Sequence, residues 1–296
     1  MKSGRPSTTA IKIARGLYSL ARVEPYGSLL PEGTEATSQA ILRASGHLKP
    51  WMERFYERPA YQTMLGWSES ASPGTTLHMV LRKRVIDDQV HQAVDSGARQ
   101  LLVLGAGFDT LATRLALKQP QLLAVEIDHP DTHTAKHRGV EGAGLKRPNL
   151  RLLGVDLGER GLDEVLAELP DWEPDAPTVV VAEGLLMYLD EEDVRRLLRT
   201  LREHTGPDSR FVFSTLEERE GVVGPDLGWM IRSSLAAVGE GLRWGVRQGT
   251  LAAFLAEEGW QLEGPEALDL RALYLKPAGI EQPLADDERV TVALRA

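Results

Sequence analysis

Two glycines stand between an apolar run and the start of a predicted helix. Residues 101–104 (LLVL) are continuously apolar, and Gly105-Ala106-Gly107 follows them directly. Glycine lets the backbone turn sharply and pass close to a ligand, because it has no side chain that would collide. The N–H groups of the next helix's first turn have no partner within that helix and suit a polar ligand. The sequence therefore predicts a ligand site formed by backbone at this turn.

Two carboxylates end the next predicted strand. Glu126 and Asp128 lie 19 and 21 residues beyond Gly107, where a carboxylate can accept hydrogen bonds from both hydroxyls of a ribose. A glycine turn after one parallel strand and an acid after the next bind nucleotide cofactors at the carboxyl edge of open α/β sheets. We therefore predict a nucleotide-type cofactor at this edge.

The residues around the turn indicate which cofactor binds. A dinucleotide-binding turn has a third glycine where this chain has Thr110, and Asp109 would repel a pyrophosphate. A carboxylate here suits a cofactor that carries an ammonium and a sulfonium, namely S-adenosylmethionine. A nicotinamide-dependent dehydrogenase is the competing hypothesis, and the missing glycine disfavours it.

Three histidines give a competing signal for a metal site. His129, His133 and His137 are spaced four residues apart, but Pro130 places His129 at or before the start of the helix. We therefore predict exposed histidines and no metal. A Ser-His-Asp hydrolase is also disfavoured, because the chain has no G-x-S-x-G turn.

Short apolar runs alternate with amphipathic stretches and define the elements that carry these groups. Continuous apolar runs are typical of strands buried on both faces of a parallel sheet, and their starts lie 21 to 32 residues apart, close to a β-α-β repeat. The five runs are residues 101–104, 122–125, 150–155, 179–182 and 211–214. They predict a doubly wound, Rossmann-like α/β fold, and the alternating segment 268–275 predicts a further antiparallel strand near the sheet edge.

Two regions lie outside this repeat. Residues 1–95 show helical periodicity and predict an N-terminal helical cap, and residues 96–296 form the predicted cofactor-binding core. A Gly- and Trp-rich insertion at 217–247 follows the fifth strand. We expect the cap and the insertion to shape the acceptor pocket, with Trp229 or Trp244 lining it.

Composition excludes other classes of function. The 296-residue chain has a formal net charge of −9 and no basic run, so we predict no nucleic-acid partner. The absence of cysteine excludes disulfides, thiolate nucleophiles and iron–sulfur clusters. No signal-peptide pattern and no apolar stretch of about 18 residues occurs, so we expect a cytoplasmic protein without a membrane partner.

The order of these segments resembles a known family. The segments are LVLGAGFDTLATRL (102–115), AVEIDHP (124–130), GVDL (154–157) and VAEGLLMYL (181–189). In sequence and spacing they are similar to the leucine carboxyl methyltransferase-like family of class I S-adenosylmethionine-dependent methyltransferases, which includes bacterial O-methyltransferases of secondary metabolism. The resemblance covers roughly residues 78–262, from the segment around Arg82 to Gly259-Trp260.

The resemblance implies a cofactor-binding role for each matching residue. Arg82 would hold the methionine carboxylate, Asp128 the ribose, Asp156 the adenine amino group and Glu183 the ammonium, with Leu157 covering the ring. The complete implied set is Arg82, Gly105, Ala106, Gly107, Asp109, Glu126, Asp128, Asp156, Leu157 and Glu183. Structural alternatives are an ion pair of Arg82 along its helix, a turn at Asp156 and a buried ion pair of Glu183.

The acceptor is predicted from the residue after Asp156-Leu157. In protein-methylating members of the family, an arginine there binds the C-terminal carboxylate of a partner protein, whereas this chain has Gly158 and Glu159, with Arg160 next. We therefore expect O-methyl transfer to the hydroxyl of a small-molecule acceptor. A carboxyl methyltransferase and a non-catalytic cofactor-binding module are the alternatives.

Methyl transfer needs an acceptor oxygen in line with the sulfonium–methyl bond, and a hydroxyl acceptor also needs a partner for its proton. The candidates for this contact are Tyr188, His78 and Tyr26, of which Tyr188 is the predicted catalytic residue.

Overall fold

A computed structural model describes residue 4 and residues 6–224, 241–286 and 288–296. Much of the predicted insertion 217–247, including Trp229, therefore lies outside the described residues. No described helix is both long and apolar enough to span a bilayer.

A mixed sheet of seven described strands organises the fold. Its order is β3-β2-β1-β4-β5-β9-β8, in which the first five strands are parallel and β9 is antiparallel to both of its neighbours. The strands, including a two-residue hairpin outside the sheet, are β1 (Gln100–Leu104), β2 (Leu123–Asp128), β3 (Leu150–Gly154), β4 (Thr178–Ala182), β5 (Arg210–Leu216), β6 (Glu218–Arg219), β7 (Val222–Val223), β8 (Trp260–Leu262) and β9 (Glu288–Arg295). The doubly wound class I methyltransferase fold is confirmed.

Helices cover both faces of the sheet. They are α1 (Thr8–Leu20), α2 (Tyr26–Leu29), α3 (Thr34–Ala44), α4 (Pro50–Tyr56), α5 (Pro59–Ala71), α6 (Thr75–Asp95), α7 (Leu111–Lys118), α8 (Pro130–Gly142), α9 (Leu162–Ala167), α10 (Glu191–Glu203) and α11 (Leu251–Glu257). One core contains α1, α3, α6, α7 and α8, and a second contains α9, α10 and α11. The apolar strands β1 and β4 are buried at every position because helices pack on both sides.

The predicted strand at 268–275 is wrong. Arg271–Leu275 forms a turn of π-helix, which continues into a short α-helix at Lys276–Ala278. Leu270 and Leu275 are buried while Leu273 is 48% exposed, so the apolar positions follow a helical turn instead of alternating. The weakly β-like segment near the end of the chain forms β9 instead, and it fills the antiparallel position between β5 and β8.

The strand order creates a crevice at the carboxyl end of β1. β2 and β4 flank β1 on opposite sides, so the connections from β1 and from β3 leave the sheet in opposite directions at this point. Open α/β sheets bind ligands at such a switch point. The predicted glycine turn follows β1 directly.

Candidate functional site

The glycine turn is formed by backbone that only glycine adopts easily. Gly105 and Gly107 have φ values of +64° and +51°. The N–H of Gly107 donates to Oδ2 of Asp128 at 2.6 Å, which joins the ends of β1 and β2. A Cβ on Gly107 would lie 3.1 Å from the Cβ of Ala10, so α1 of the cap passes directly over the turn.

A cavity of about 540 Å³ opens at this edge of the sheet. It brings together nearly all of the site residues predicted from sequence. Those that line it are Arg82, Gly105, Ala106, Gly107, Asp109, Asp128, Asp156, Leu157, Glu183 and Tyr188. Residues of α1, such as Thr9, Ala10 and Ile13, form another part of its wall. Residues of the first helix of the chain therefore line part of the cavity.

Glu126 is not in the cavity wall. Its side chain is buried beneath the site, where Oε2 lies 2.5 Å from Nζ of the equally buried Lys136. Burial raises the pKa of Glu126 to about 7, although the charge of Lys136 acts in the opposite direction. The structure thus leaves Asp128 alone, of the two acids, in reach of a ribose.

Asp128, at the end of β2, and Asp156, after β3, both line the cavity, but their surroundings differ. Asp128 is held by the Gly107 N–H, and burial raises the pKa of its carboxyl. Asp156 is half-exposed, and its Oδ1 accepts a hydrogen bond from the N–H of Gly158 at 2.9 Å. His129, the N-cap of α8, places Nε2 3.6 Å from Oδ2 of Asp156. Asp156 therefore presents an oriented acceptor at one end of the cavity.

A buried ionic cluster forms the opposite end. Arg82 and Lys83 of α6 contact three carboxylates, those of Asp109, Glu183 and Glu288. Arg82 Nε lies 2.7 Å from Glu183, and Lys83 Nζ lies 2.7 Å from Glu183 and 2.5 Å from Asp109. With two cations and three anions, the cluster has a formal charge of −1, which suits a ligand that brings positive charge.

The cluster fixes the position of each of its charges. Burial by itself would raise the pKa of Asp109. The positive charges of Lys83 and Lys136 outweigh it and hold the pKa of this carboxyl well below the ordinary range. Asp109 also accepts a hydrogen bond from the N–H of Leu111 at 2.6 Å, which caps α7. Arg82 donates through Nε to Glu183 and through Nη1 to Glu288. Its Nη2 donates to no residue in the part of the chain that the structure describes, and it suits a carboxylate ligand.

The donor set fits S-adenosylmethionine. The guanidinium of Arg82 suits the methionine carboxylate, and the negative cluster suits the ammonium and the sulfonium. The glycine turn leaves room where a side chain would stand. Asp128 and Asp156 are carboxylates in the cavity wall, of the kind that ribose hydroxyls and an adenine amino group donate to.

The profile of one protein family, described as leucine carboxyl methyltransferase, matches residues 39–202, more than half of the chain. The chain belongs to the leucine carboxyl methyltransferase family. This confirms the resemblance seen in the sequence.

Two relatives of this chain carry the same descriptive name. A protein from Parafrankia sp. (strain EAN1pec) is 29% identical over 214 residues, which cover 70% of this chain and 66% of the relative. One from Mycobacterium marinum (strain ATCC BAA-535 / M) is 30% identical over 218 residues, covering 69% and 65%. Both are named "Putative S-adenosyl-L-methionine-dependent methyltransferase". The match spans just under two thirds of each relative. These names give S-adenosylmethionine as the cofactor of the two relatives.

Two solved structures share the fold of this leucine carboxyl methyltransferase family member. A methyltransferase-like protein from Thermobifida fusca YX is 16% identical with a TM-score of 0.57, and the alignment covers 99% of this chain and 96% of that one. A DUF574 family protein from Streptomyces avermitilis MA-4680 is 17% identical with a TM-score of 0.57, and the alignment covers 96% and 97%.

Part of the family member's cavity wall is mostly apolar. Met187, Tyr188 and Leu189 line it, and Tyr188 ends a short 3-10 helix, Leu186–Tyr188. His78 and Tyr26, the other sequence candidates, are not in the cavity wall. Trp244 is buried against Phe254 in the second core and does not line the cavity either.

The histidines of α8 form no metal site. The rings of His133 and His137 are 5.3 Å apart, and His137 pairs with Glu141. Within the described residues, no group of three side chains is arranged to hold a metal ion.

Two residues of the cavity wall, Lys83 and Glu288, were not predicted from the sequence. Lys83 is next to Arg82 in α6, and the only sequence feature that pointed to it is that the two basic residues are adjacent. Glu288 is separated from Arg82 by 206 residues, and no sequence pattern links them.

Proposed function

We propose that this protein is an S-adenosylmethionine-dependent O-methyltransferase that acts on the hydroxyl of a small molecule. Membership of the methyltransferase family and a cavity lined by cofactor-type groups support methyl transfer. Among the described residues, no lysine or arginine forms an ion pair with Asp156, and Gly158 stands where an arginine would bind a carboxylate. This observation supports the choice of acceptor and carries the proposal.

The residue after Asp156-Leu157 is Gly158, which lines the cavity without a side chain. An acceptor carboxylate would find no charge-assisted hydrogen bond there, and such a bond contributes roughly 1.5–3 kcal/mol. Arg160 does not replace the missing cation. Its guanidinium pairs with Glu168 and lies 3.6 Å from Glu164, and Arg160 is outside the cavity wall.

The chemistry asks little of the protein beyond alignment. The cofactor supplies a methyl group that its sulfonium already activates. Arg82, Asp128 and Asp156 hold the cofactor, and the apolar wall formed by Met187 and Leu189 excludes water from the acceptor. Tyr188 is the residue we propose to contact the acceptor oxygen and orient it. With the cofactor bound, the lone pair of that oxygen would form the new C–O bond as the sulfonium–methyl bond breaks, S-adenosylhomocysteine would be the leaving group, and the hydroxyl proton would pass to solvent when the products leave.

The test is transfer of isotope-labelled methyl groups. The acceptors are a panel of phenolic and polyketide-like hydroxyl compounds and, separately, a peptide that ends in leucine. We expect base-stable label on a panel member, as for a methyl ether, and none from Arg82→Met, which controls for contaminating activity. Base-labile label on the peptide alone would show a carboxyl methyltransferase. Binding of S-adenosylhomocysteine without any transfer would favour a non-catalytic module.

A further inference from the structure

Glu288 reaches the cofactor cavity from the far end of the chain. It is the first residue of β9, lines the cavity and forms a buried ion pair with Nη1 of Arg82. Its side chain is 15% exposed, and that of Arg82 is 11% exposed. The antiparallel direction of β9 brings its first residue to the edge where the parallel strands end, since Glu288 pairs with Leu216 at the end of β5.

The oxygens of the three cluster carboxylates are not equally engaged. Asp109 uses Oδ1 for the Leu111 N–H and Oδ2 for Lys83. Glu183 uses Oε1 for Arg82 and Oε2 for Lys83. Glu288 uses Oε2 for Arg82, whereas its Oε1 is shielded from solvent and has no hydrogen-bond partner among the described residues. Glu288 alone therefore keeps an acceptor atom to which no described group donates.

A shielded carboxylate oxygen without a donor is costly, so a donor is expected from a ligand. The carboxylate and the ammonium of the cofactor are attached to one carbon atom. A cofactor whose carboxylate binds Arg82 therefore brings its ammonium close to the groups that surround Arg82.

We propose that Glu288 is a cofactor-binding residue: its Oε1 accepts a hydrogen bond from the cofactor's ammonium while its Oε2 holds Arg82 toward the carboxylate. The inference rests on the proposed function, because it takes S-adenosylmethionine as the ligand. Glu183, with both oxygens on cations, serves instead to position Arg82 and Lys83.

The test compares two ligands by calorimetry. One is S-adenosylhomocysteine, and the other is its analogue with a hydroxyl in place of the amino group. We expect Glu288→Gln to weaken binding of S-adenosylhomocysteine by roughly 10- to 100-fold, the effect of one charge-assisted hydrogen bond. Binding of the deaminated analogue is expected to change by less than about 3-fold, because its hydroxyl carries no charge.

The matched control is Glu263→Gln. Glu263 follows β8, pairs with Arg210 at 2.8 Å and also keeps a buried oxygen without a described partner, but it lies outside the cavity. This variant should bind both ligands as the wild type does. If Glu288→Gln does not fold, Glu288→Asp is the second variant, because its shorter side chain withdraws the carboxylate from the cavity. It should likewise weaken binding of S-adenosylhomocysteine while leaving binding of the deaminated analogue nearly unchanged.

Equal losses for both ligands would leave Glu288 as a support for Arg82 only and overturn the proposal. Unchanged binding of both would overturn it as well. Failure of the wild type to bind S-adenosylhomocysteine would instead refute the proposed function, so the two failures are distinguishable.

Discussion

The buried pair Glu126–Lys136 predicts an unusual pH dependence of stability. Each residue is 3% exposed, and burial raises the pKa of Glu126 to about 7 against the charge of Lys136. A carboxyl whose pKa is higher in the folded than in the unfolded chain stabilises the fold below the unfolded pKa. This contribution is lost as the pH rises through the folded pKa.

The magnitude follows from the two pKa values. The ordinary value for Glu126 is 4.5, and the folded value is about 7. At about 1.4 kcal/mol for each pKa unit, Glu126 contributes about 3 kcal/mol to the free energy of unfolding at low pH. Most of this, about 2–3 kcal/mol, is lost between about pH 5 and about pH 8.

The assay is urea denaturation across this pH range. The wild type is compared with the double variant Glu126→Gln/Lys136→Met, which leaves no buried charge without its partner. The difference in unfolding free energy, wild type minus variant, should fall by about 2–3 kcal/mol from about pH 5 to about pH 8.

A surface pair provides the control. Glu141 and Lys146 lie 2.7 Å apart, and the Lys146 hydrogen bond lowers the pKa of Glu141. The variant Glu141→Gln/Lys146→Met should show no such fall. If the difference for the buried pair stays constant to within about 0.5 kcal/mol, Glu126 titrates alike in both states and the argument from burial is refuted.

Two further predictions concern the cavity. Asp156→Ala should weaken binding of S-adenosylhomocysteine by about 1–3 kcal/mol, because the adenine amino group loses its acceptor; equal calorimetric affinities would remove Asp156 from the site. Tyr188→Phe should lower kcat by about 100-fold with little change in the dissociation constant of S-adenosylhomocysteine, as expected for a group that contacts the acceptor oxygen. Unchanged kcat would assign Tyr188 to the cavity wall alone.

The parallel half of the fold could be predicted because its signals are local. Each of the first five strands contains a short apolar run, which Arg151 interrupts in β3. The glycine turn follows β1 directly, Asp128 ends β2 and Asp156 comes two residues after β3. Parallel packing then brings these strand ends to one edge, whatever the details of the helices. The cavity wall accordingly contains Tyr188 and every predicted cofactor-binding residue except Glu126.

The exceptions depend on contacts that sequence spacing does not encode. Glu126 has the spacing and charge expected of a residue that binds a ribose, but it forms a buried ion pair with Lys136 of α8 beneath the site. The segment 268–275 has a strand-like pattern, yet β9 occupies the antiparallel position in the sheet. The same strand, β9, also brings Glu288 to Arg82. A sequence prediction that assigns the antiparallel strand to the wrong segment therefore also misses Glu288 as a site residue.

The place of β9 has a consequence for the order in which the protein is synthesised. β9 is the latest strand in chain order, but it lies inside the sheet, between β5 and β8. Until the ribosome has made residues 288–295, the hydrogen-bonding edge of β5 has no partner, and its apolar segment Phe211-Val212-Phe213 borders that open edge. Unpaired apolar edges template aggregation, so a growing chain stalled before residue 288 should be prone to self-association and to depend on chaperones.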